Sequence, residues 1–290
     1  TPKPSSAASD VYKRQIYNDI KKASPMKRLL QGDVGSGKTI VAAAAVTATI
    51  KNNKQAALMA PTEVLAEQHL TSFKKYLEYF DVDIHLLTSS VKDREDIYEI
   101  IDRGDPVLII GTHALIQDKV NFNNLGLAII DEQQRFGVEQ RKKLVDNDDF
   151  TPHQLVMTAT PIPRTTALAI YGDLELSVID ELPPGRKKIK SRVLSGGKRD
   201  NKEVYETAYE HLKNDSQIFV VCPYIEESEN SDIKAAENVF KLYRSEFKDY
   251  KVDLLHGKMK PEEKELKMLQ MQNGEIDILV STVVIEVGID

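Results

Sequence analysis

"RLLQGDVGSGKTIVAAAAVTATI", residues 28–50, is the stretch whose reading decides the fold. Leu29 and Leu30 run into a glycine turn, and an alanine-rich stretch of helical length follows it. Gly32 to Thr39 satisfies the spacing G-x-x-x-x-G-K-[ST] between a predicted strand and a predicted helix, which is the context a phosphate-cradling loop needs. The glycines let backbone N–H groups close around phosphate oxygens, while the helix behind them presents the positive end of its dipole. Gly32, Asp33, Gly35, Ser36, Gly37, Lys38 and Thr39 are therefore the candidate nucleotide-binding residues. Lys38 would reach the β and γ phosphates, and Thr39 would offer its hydroxyl to Mg²⁺. An ordinary glycine turn with a surface lysine is the plain alternative, and the strand–helix context argues against it.

Outward from this loop the pattern repeats. "QAALMAPT" reads as an apolar strand and "EVLAEQHLTSFKKYLEYF" as a helix. "DIHLLTS", "PVLIIGTH", "LGLAIIDEQ" and "HQLVMTATP" read as further strands, with helical stretches between most of them. Strands with few polar positions, separated by amphipathic helices, predict an α/β fold whose mostly parallel sheet is covered by helices on both faces. "IDELPPGRKKIKSRV" breaks the rhythm with two prolines, a glycine and a basic run, and marks a domain boundary. A second alternation follows and ends on the strand "DILVSTVV". The expected organisation is a first lobe over 16–182, a linker over 183–199 and a second, incomplete lobe over 200–290. "TPKPSSAASDVYKRQ", residues 1–15, shows no apolar periodicity and reads as a disordered or foreign leader.

Bulk properties narrow the function classes. At 290 residues the chain has room for two domains, each with its own core. Its single cysteine, Cys222, excludes an internal disulfide framework and any multi-cysteine metal site, which fits a reducing cytoplasm. No apolar run is long enough to form a membrane-spanning helix. A net charge of -6 gives no support to a uniformly basic nucleic-acid binder. The basic cluster from Arg186 to Arg199 reads as linker before it reads as a phosphate contact.

The remaining chemistry sits where predicted strands end. "LGLAIIDEQQ" puts Asp131 and Glu132 at the end of an apolar strand, where one carboxylate can hold Mg²⁺ through water and the other can orient an attacking water. A strand ending in Asp-Glu is weak alone; with a phosphate loop it becomes specific, because hydrolysis needs both. Thr158 and Thr160 of "MTATPIPRT" end another strand, where their hydroxyls would meet the Asp-Glu loop and report the γ phosphate. Thr62 in "APTEVLAEQ" and Thr112 in "GTHAL" stand at strand-to-helix transitions, suited to gripping phosphates of a nucleic-acid strand without reading its bases. Helix capping is the plainer reading of Thr62. His113 beside Thr112 serves equally as a packing residue.

Taken in order, "GDVGSGKT", "APTEVLAEQH", "GTHALIQ", "DEQQRFGVEQR", "TATPIPRT", "IDELPPGR", "IEESE", "HGKMKPEEKE" and "STVVIEVGID" resemble the superfamily 2 helicases, and within them the helicases of branched DNA. The resemblance runs from about Met26 to Asp290. It implies two RecA-like lobes that use ATP and Mg²⁺ to move on DNA and to remodel stalled forks and Holliday junctions. It assigns catalysis to Lys38, Asp131, Glu132 and Gln134, and metal binding to Thr39 and Asp131. Nucleic-acid contacts fall to Thr62, Thr112, His113 and Thr282, and coupling between lobes to Thr158, Thr160, Arg164, Glu286, Gly288 and Asp290. A cytoplasmic monomer is expected. Gln134 stands where the family usually has histidine, and it keeps the capacity to donate and accept hydrogen bonds. The family's next motif, whose arginines act on the γ phosphate and are worth about 10³–10⁵ in rate in related enzymes, is expected beyond Asp290. This chain is therefore expected to bind ATP and to hydrolyse little of it alone. The rival readings are a transcription-repair coupling translocase, which shares "RFGV" and "TATPIPRT", and a nucleotide-dependent DNA-binding module without turnover.

Overall fold

A computed structural model describes residues 7–22, 24–92, 94–132, 136–145, 151–160, 174–180, 189–195, 197–222 and 229–282. The chain divides into two compact units, one up to Lys187 and one from Lys188. The division falls within the stretch read as a linker.

In the first unit the strands are β1 (Lys27–Gly32), β2 (Gln55–Met59), β3 (Asp83–Leu87), β4 (Val107–Gly111), β5 (Leu125–Asp131), β6 (His153–Thr158) and β7 (Glu175–Ile179). They form one sheet in the order β3-β4-β2-β5-β6-β1-β7, and every recorded pairing is parallel. The helices are α1 (Ala7–Ile20), α2 (Lys38–Lys51), α3 (Glu63–Tyr76), α4 (Glu95–Arg103) and α5 (Val138–Val145), with a short 3₁₀ turn at His113–Ile116.

Alternation along each strand explains why helices lie on both faces. Ala56 and Leu58 of β2, Leu108 and Ile110 of β4, and Leu127 and Ile129 of β5 join one core with Val41, Ala42, Ala45 and Val46 of α2 and Ala66 and Phe73 of α3. Their neighbours Ala57 and Met59, Val107 and Ile109, and Ala128 and Ile130 join a second core with Ile97 and Ile101 of α4 and Leu144 and Val145 of α5. A strand buried on both faces must be apolar at nearly every position, and β2, β4 and β5 are.

Two expectations need correction. The leader read as disordered over residues 1–15 is helical from Ala7, and Ile16 at its junction with the first lobe is 1% exposed. Tyr12 packs against the first core and its hydroxyl donates to the Val178 carbonyl, while Ser177 Oγ donates to Gln15 Oε1 at 3.2 Å. The sequence shows a helical stretch from about Ile16, and the structure extends it back to Ala7; Ser and Ala at residues 5–9 carry no apolar period by which to place that start. The second correction is β7, which lies where no strand was expected. It is a five-residue strand at the end of the sheet order, and its mixed pattern of Glu175, Leu176, Ser177 and Val178 is what a half-covered strand carries.

The second unit holds β8 (Ile218–Val221), β9 (Val252–Leu255) and β10 (Ile278–Ser281) in the order β8-β10-β9, all parallel. The helices α6 (Lys198–Leu212) and α7 (Glu229–Glu246) cover one face through Ala208, Leu212 and Ala236, while Met271 of α8 (Pro261–Gln272) covers Leu255 and Leu279 on the other.

Candidate nucleotide and nucleic-acid site

Because the strands of the first unit are parallel, every strand-to-helix loop leaves the same edge of the sheet. Carboxyl ends of strands in such sheets are where ligands bind. Register makes the arrangement specific: Asp131 of β5 pairs with Met157 of β6, and Gln31 of β1 pairs with Thr158. The glycine loop and the carboxylate pair therefore flank one strand, β6, at the same level.

The loop itself is built around space. Gly35 and Gly37 take φ of 73° and 97°, a region that L side chains rarely adopt. A Cβ on Gly32 would stand 2.5 Å from Ser36 Oγ and 3.0 Å from Ile179 Cβ, so β7 presses the loop from one side. Lys38 folds back, its ammonium donating to the carbonyls of Gly32 at 2.7 Å and Asp33 at 3.0 Å. Ser36 Oγ is buried and has no hydrogen-bond partner. A cradle that excludes even one methyl group and holds an unsatisfied hydroxyl fits a polyphosphate, whose oxygens would accept from Ser36, from Lys38 and from the loop amides.

Across β6, Asp131 is 8% exposed. Its Oδ1 accepts from the Glu132 N–H at 3.1 Å. Glu132 sits at φ 46°, a left-handed conformation that costs a non-glycine residue about 1–3 kcal/mol. Its N–H also donates to the Met157 carbonyl at 2.9 Å, and its Oε1 accepts from the Ala159 N–H at 3.0 Å. Thr158 Oγ1 lies 3.4 Å from Glu132 Oε2 and 2.9 Å from Thr160 Oγ1. The two threonines are thus brought to the carboxylate pair.

The other candidates are distributed differently. Thr62 caps α3, its Oγ1 accepting from the Leu65 N–H at 3.3 Å, so the capping reading describes its contact. Thr112, 2% exposed, precedes the 3₁₀ turn with an unpartnered hydroxyl, and His113 is exposed beside it. Thr282 belongs to the second unit, where its N–H donates to the Leu255 carbonyl at 3.2 Å. Gln134, Arg164, Glu286, Gly288 and Asp290 lie outside the described residues. One contact was missed at the sequence level: His69 of α3 meets Asp131, with 2.7 Å between Nε2 and Oδ2. Its signal was a polar residue on a buried helical stripe, Ala66–His69–Phe73.

The sequence pattern of the DEAD/DEAH box helicases matches residues 12–168, more than half of the chain. The chain belongs to the DEAD/DEAH box helicase family. The conserved C-terminal domain of helicases matches residues 201–290. The family's chains similar to this one include the ATP-dependent DNA helicase RecG of Aquifex aeolicus (strain VF5), 49% identical over 280 residues, which cover 96% of this chain and 35% of that protein. RecG of Bacillus subtilis (strain 168) is 45% identical over 292 residues, covering 100% of this chain and 42% of that protein. Among solved structures, RecG bound to a three-way DNA junction superposes with a TM-score of 0.82 at 40% identity, covering 100% of this chain and 38% of that one. Dbp5 of S. cerevisiae bound to RNA and ADP BeF3 has a TM-score of 0.67 at 17% identity, covering 99% of this chain and 72% of that one, a likeness of fold. This DEAD/DEAH box chain therefore has the expected fold, two RecA-like units with parallel sheets. It spans about 35% and 42% of the lengths of the two RecG relatives.

Proposed function

We propose that this chain is the motor core of an ATP-dependent DNA helicase of the RecG kind, acting in the cytoplasm on branched DNA. The observation that carries the reading is the level placement of the phosphate loop and the Asp131–Glu132 pair on either side of β6, with Thr158 between them. Identity of 45–49% to RecG helicases supports the choice of DNA, and the junction-bound RecG supports branched DNA.

The residues divide the chemistry among themselves. Loop amides from Gly32 to Gly37 and the Lys38 ammonium would bind the polyphosphate; to do so Lys38 exchanges the Gly32 and Asp33 carbonyls for phosphate oxygens. Thr39 and Asp131 would hold Mg²⁺, which when bound neutralises charge on the transferring phosphoryl group. Glu132, fixed by Ala159 and Met157, presents one carboxylate edge to orient water. Thr158 and Thr160 would sense the carboxylate's position and couple it to movement on DNA. Thr62 and Thr112 offer hydroxyls, and the loops around them backbone amides, for phosphates of the DNA.

The test has two parts. This chain binds a fluorescent ATP analogue with Mg²⁺, and Lys38→Ala weakens that binding by about tenfold or more, the loss of a charge-assisted contact. In a protein of the RecG relatives' length, ATP turnover rises on adding forked duplex DNA and is abolished by Lys38→Ala. Absence of DNA-stimulated turnover there overturns the helicase reading.

A further inference from the structure

The contact between His69 and Asp131 joins two parts of the first unit that the strand order brings side by side. Met59, at the end of β2, pairs with Ile130 of β5, so α3, which starts just after β2, begins beside the end of β5, within reach of Asp131 through His69. Its buried stripe runs Ala66, His69, Phe73. Apolar residues fill the first and third places, and the His69 ring meets Phe73 edge-on with centroids 6.3 Å apart. Packing alone would be served by leucine in the middle place. Instead an imidazole stands there, its side chain 11% exposed against an Asp131 side chain that is also 11% exposed.

A carboxylate can only accept, so His69 donates Nε2–H to Asp131 Oδ2 over 2.7 Å, which fixes the tautomer. The other oxygen, Oδ1, accepts the Glu132 N–H. With one donor on each oxygen the carboxylate can neither rotate about its terminal bond nor tip away without breaking a bond. About half of its roughly four acceptor positions stay open towards the loop edge.

We infer that His69 is a positioning residue of the nucleotide site: it holds Asp131 in the orientation that serves the metal and makes α3 part of that support. The inference rests on the reading of Asp131 as a Mg²⁺ residue given above. Partners that orient a metal-binding carboxylate typically change metal affinity or activity by about 10–100-fold when removed. Where the carboxylate holds the metal through water, the lower end of that range applies. The helix that carries His69 begins at the Thr62 cap, so a strand gripped there would press on the same helix that steadies Asp131.

The experiment uses the whole chain as wild type, His69→Leu and His69→Gln. Leucine keeps the bulk and removes the donor; glutamine puts an N–H donor at about the same reach. Affinity for a fluorescent ATP analogue is titrated with Mg²⁺ and again with excess EDTA, and the ratio of the two affinities is the readout. The expected result is a ratio about tenfold lower in His69→Leu, metal-free binding unchanged, and most of the ratio recovered in His69→Gln. An unchanged ratio in His69→Leu overturns the inference, as does an equal loss with and without metal, or a His69→Gln that behaves like His69→Leu. Wild-type protein that binds no nucleotide, or binds it regardless of Lys38→Ala, overturns the parent reading and this inference with it.

Discussion

Replacing Arg28 by methionine tests how the first unit fastens α1 to its sheet. Arg28 lies on β1 with its side chain 7% exposed. Its Nε and Nη2 donate to Asp19 Oδ2 at 3.0 and 2.5 Å, its Nη1 to Ser177 Oγ at 2.6 Å, and Nη2 also to Glu175. One guanidinium thus ties α1, β1 and β7. Burial raises the Asp19 carboxyl pKa, but the hydrogen bonds and charges of Lys22 and Arg28 outweigh it and hold the group below the ordinary 3.8. In Arg28→Met, Glu175 is 65% exposed and returns to water at little cost, whereas Asp19 is 9% exposed and, among the described residues, keeps Lys22, itself 57% exposed. Removing one partner of a buried pair costs about 3–5 kcal/mol, and Lys22 places this site towards the lower figure. Adding Asp19→Asn discharges the stranded carboxylate and recovers about half or more of the loss. The assay is urea unfolding of wild type, both single variants and the double variant, with hydrogen exchange on residues 7–22 and 174–180 as the local readout. The sign with pH follows: a carboxyl held below 3.8 in the folded state contributes its stability above that pH and loses it as pH falls through the folded value. Arg28→Met flattens that acid limb. A loss below about 1 kcal/mol, with the double variant no more stable than Arg28→Met, refutes the reasoning.

Gly32→Ala forces a methyl group within 2.5 Å of Ser36 Oγ and 3.0 Å of Ile179 Cβ, so the phosphate loop must move. A thermal melt shows an overpacking loss of about 1–3 kcal/mol, and titration shows nucleotide affinity lower by about tenfold or more; an unchanged affinity refutes the cradle. His153 accepts the Met26 N–H at Nδ1 over 2.8 Å, and burial, followed by the charge of Lys54, pushes its pKa below the ordinary 6.5 against a weaker pull from Asp19. The unfolded chain then binds a proton the folded chain refuses, so urea midpoints fall as pH drops below about 6.5, and His153→Gln removes that part of the slope.

How far the sequence could be read depended on how many positions carried each signal. The glycine loop between β1 and α2 was legible because five features stand together in it, two glycines, a lysine, a threonine and the strand before them, a set that a phosphate ligand would demand. The buried strands β2, β4 and β5 were legible because burial on both faces leaves almost no polar residue, and their apolar runs stand out. β7 was not, since a strand covered on one side mixes Glu175 and Ser177 with Val178 and Ile179, and the Pro-Gly-basic stretch after it dominated the window. The first half of α1 was not, because part of its fastening is polar and distant: Gln15 to Ser177 and Tyr12 to Val178, contacts across more than a hundred residues of sequence.

The same limit governs the site. Asp131, Glu132, Thr158 and Thr160 were named from the sequence as separate strand ends, but which oxygen meets which donor depends on register. The pairing of Asp131 with Met157 puts the Met157 carbonyl under the Glu132 N–H, and that bond holds Glu132 at φ 46°. Only from that strained backbone does Glu132 turn its carboxylate back onto the Ala159 N–H. A one-residue slip of β6 would take the Met157 carbonyl and the Thr158 hydroxyl away together, and would turn Leu155 and Met157 out of the first core. Hydrophobic burial of β6 therefore fixes the position of the Glu132 carboxylate more firmly than the polar contacts it makes. Core substitutions at Met157 should disturb the Asp131–Glu132 pair while leaving every polar residue of the site in place.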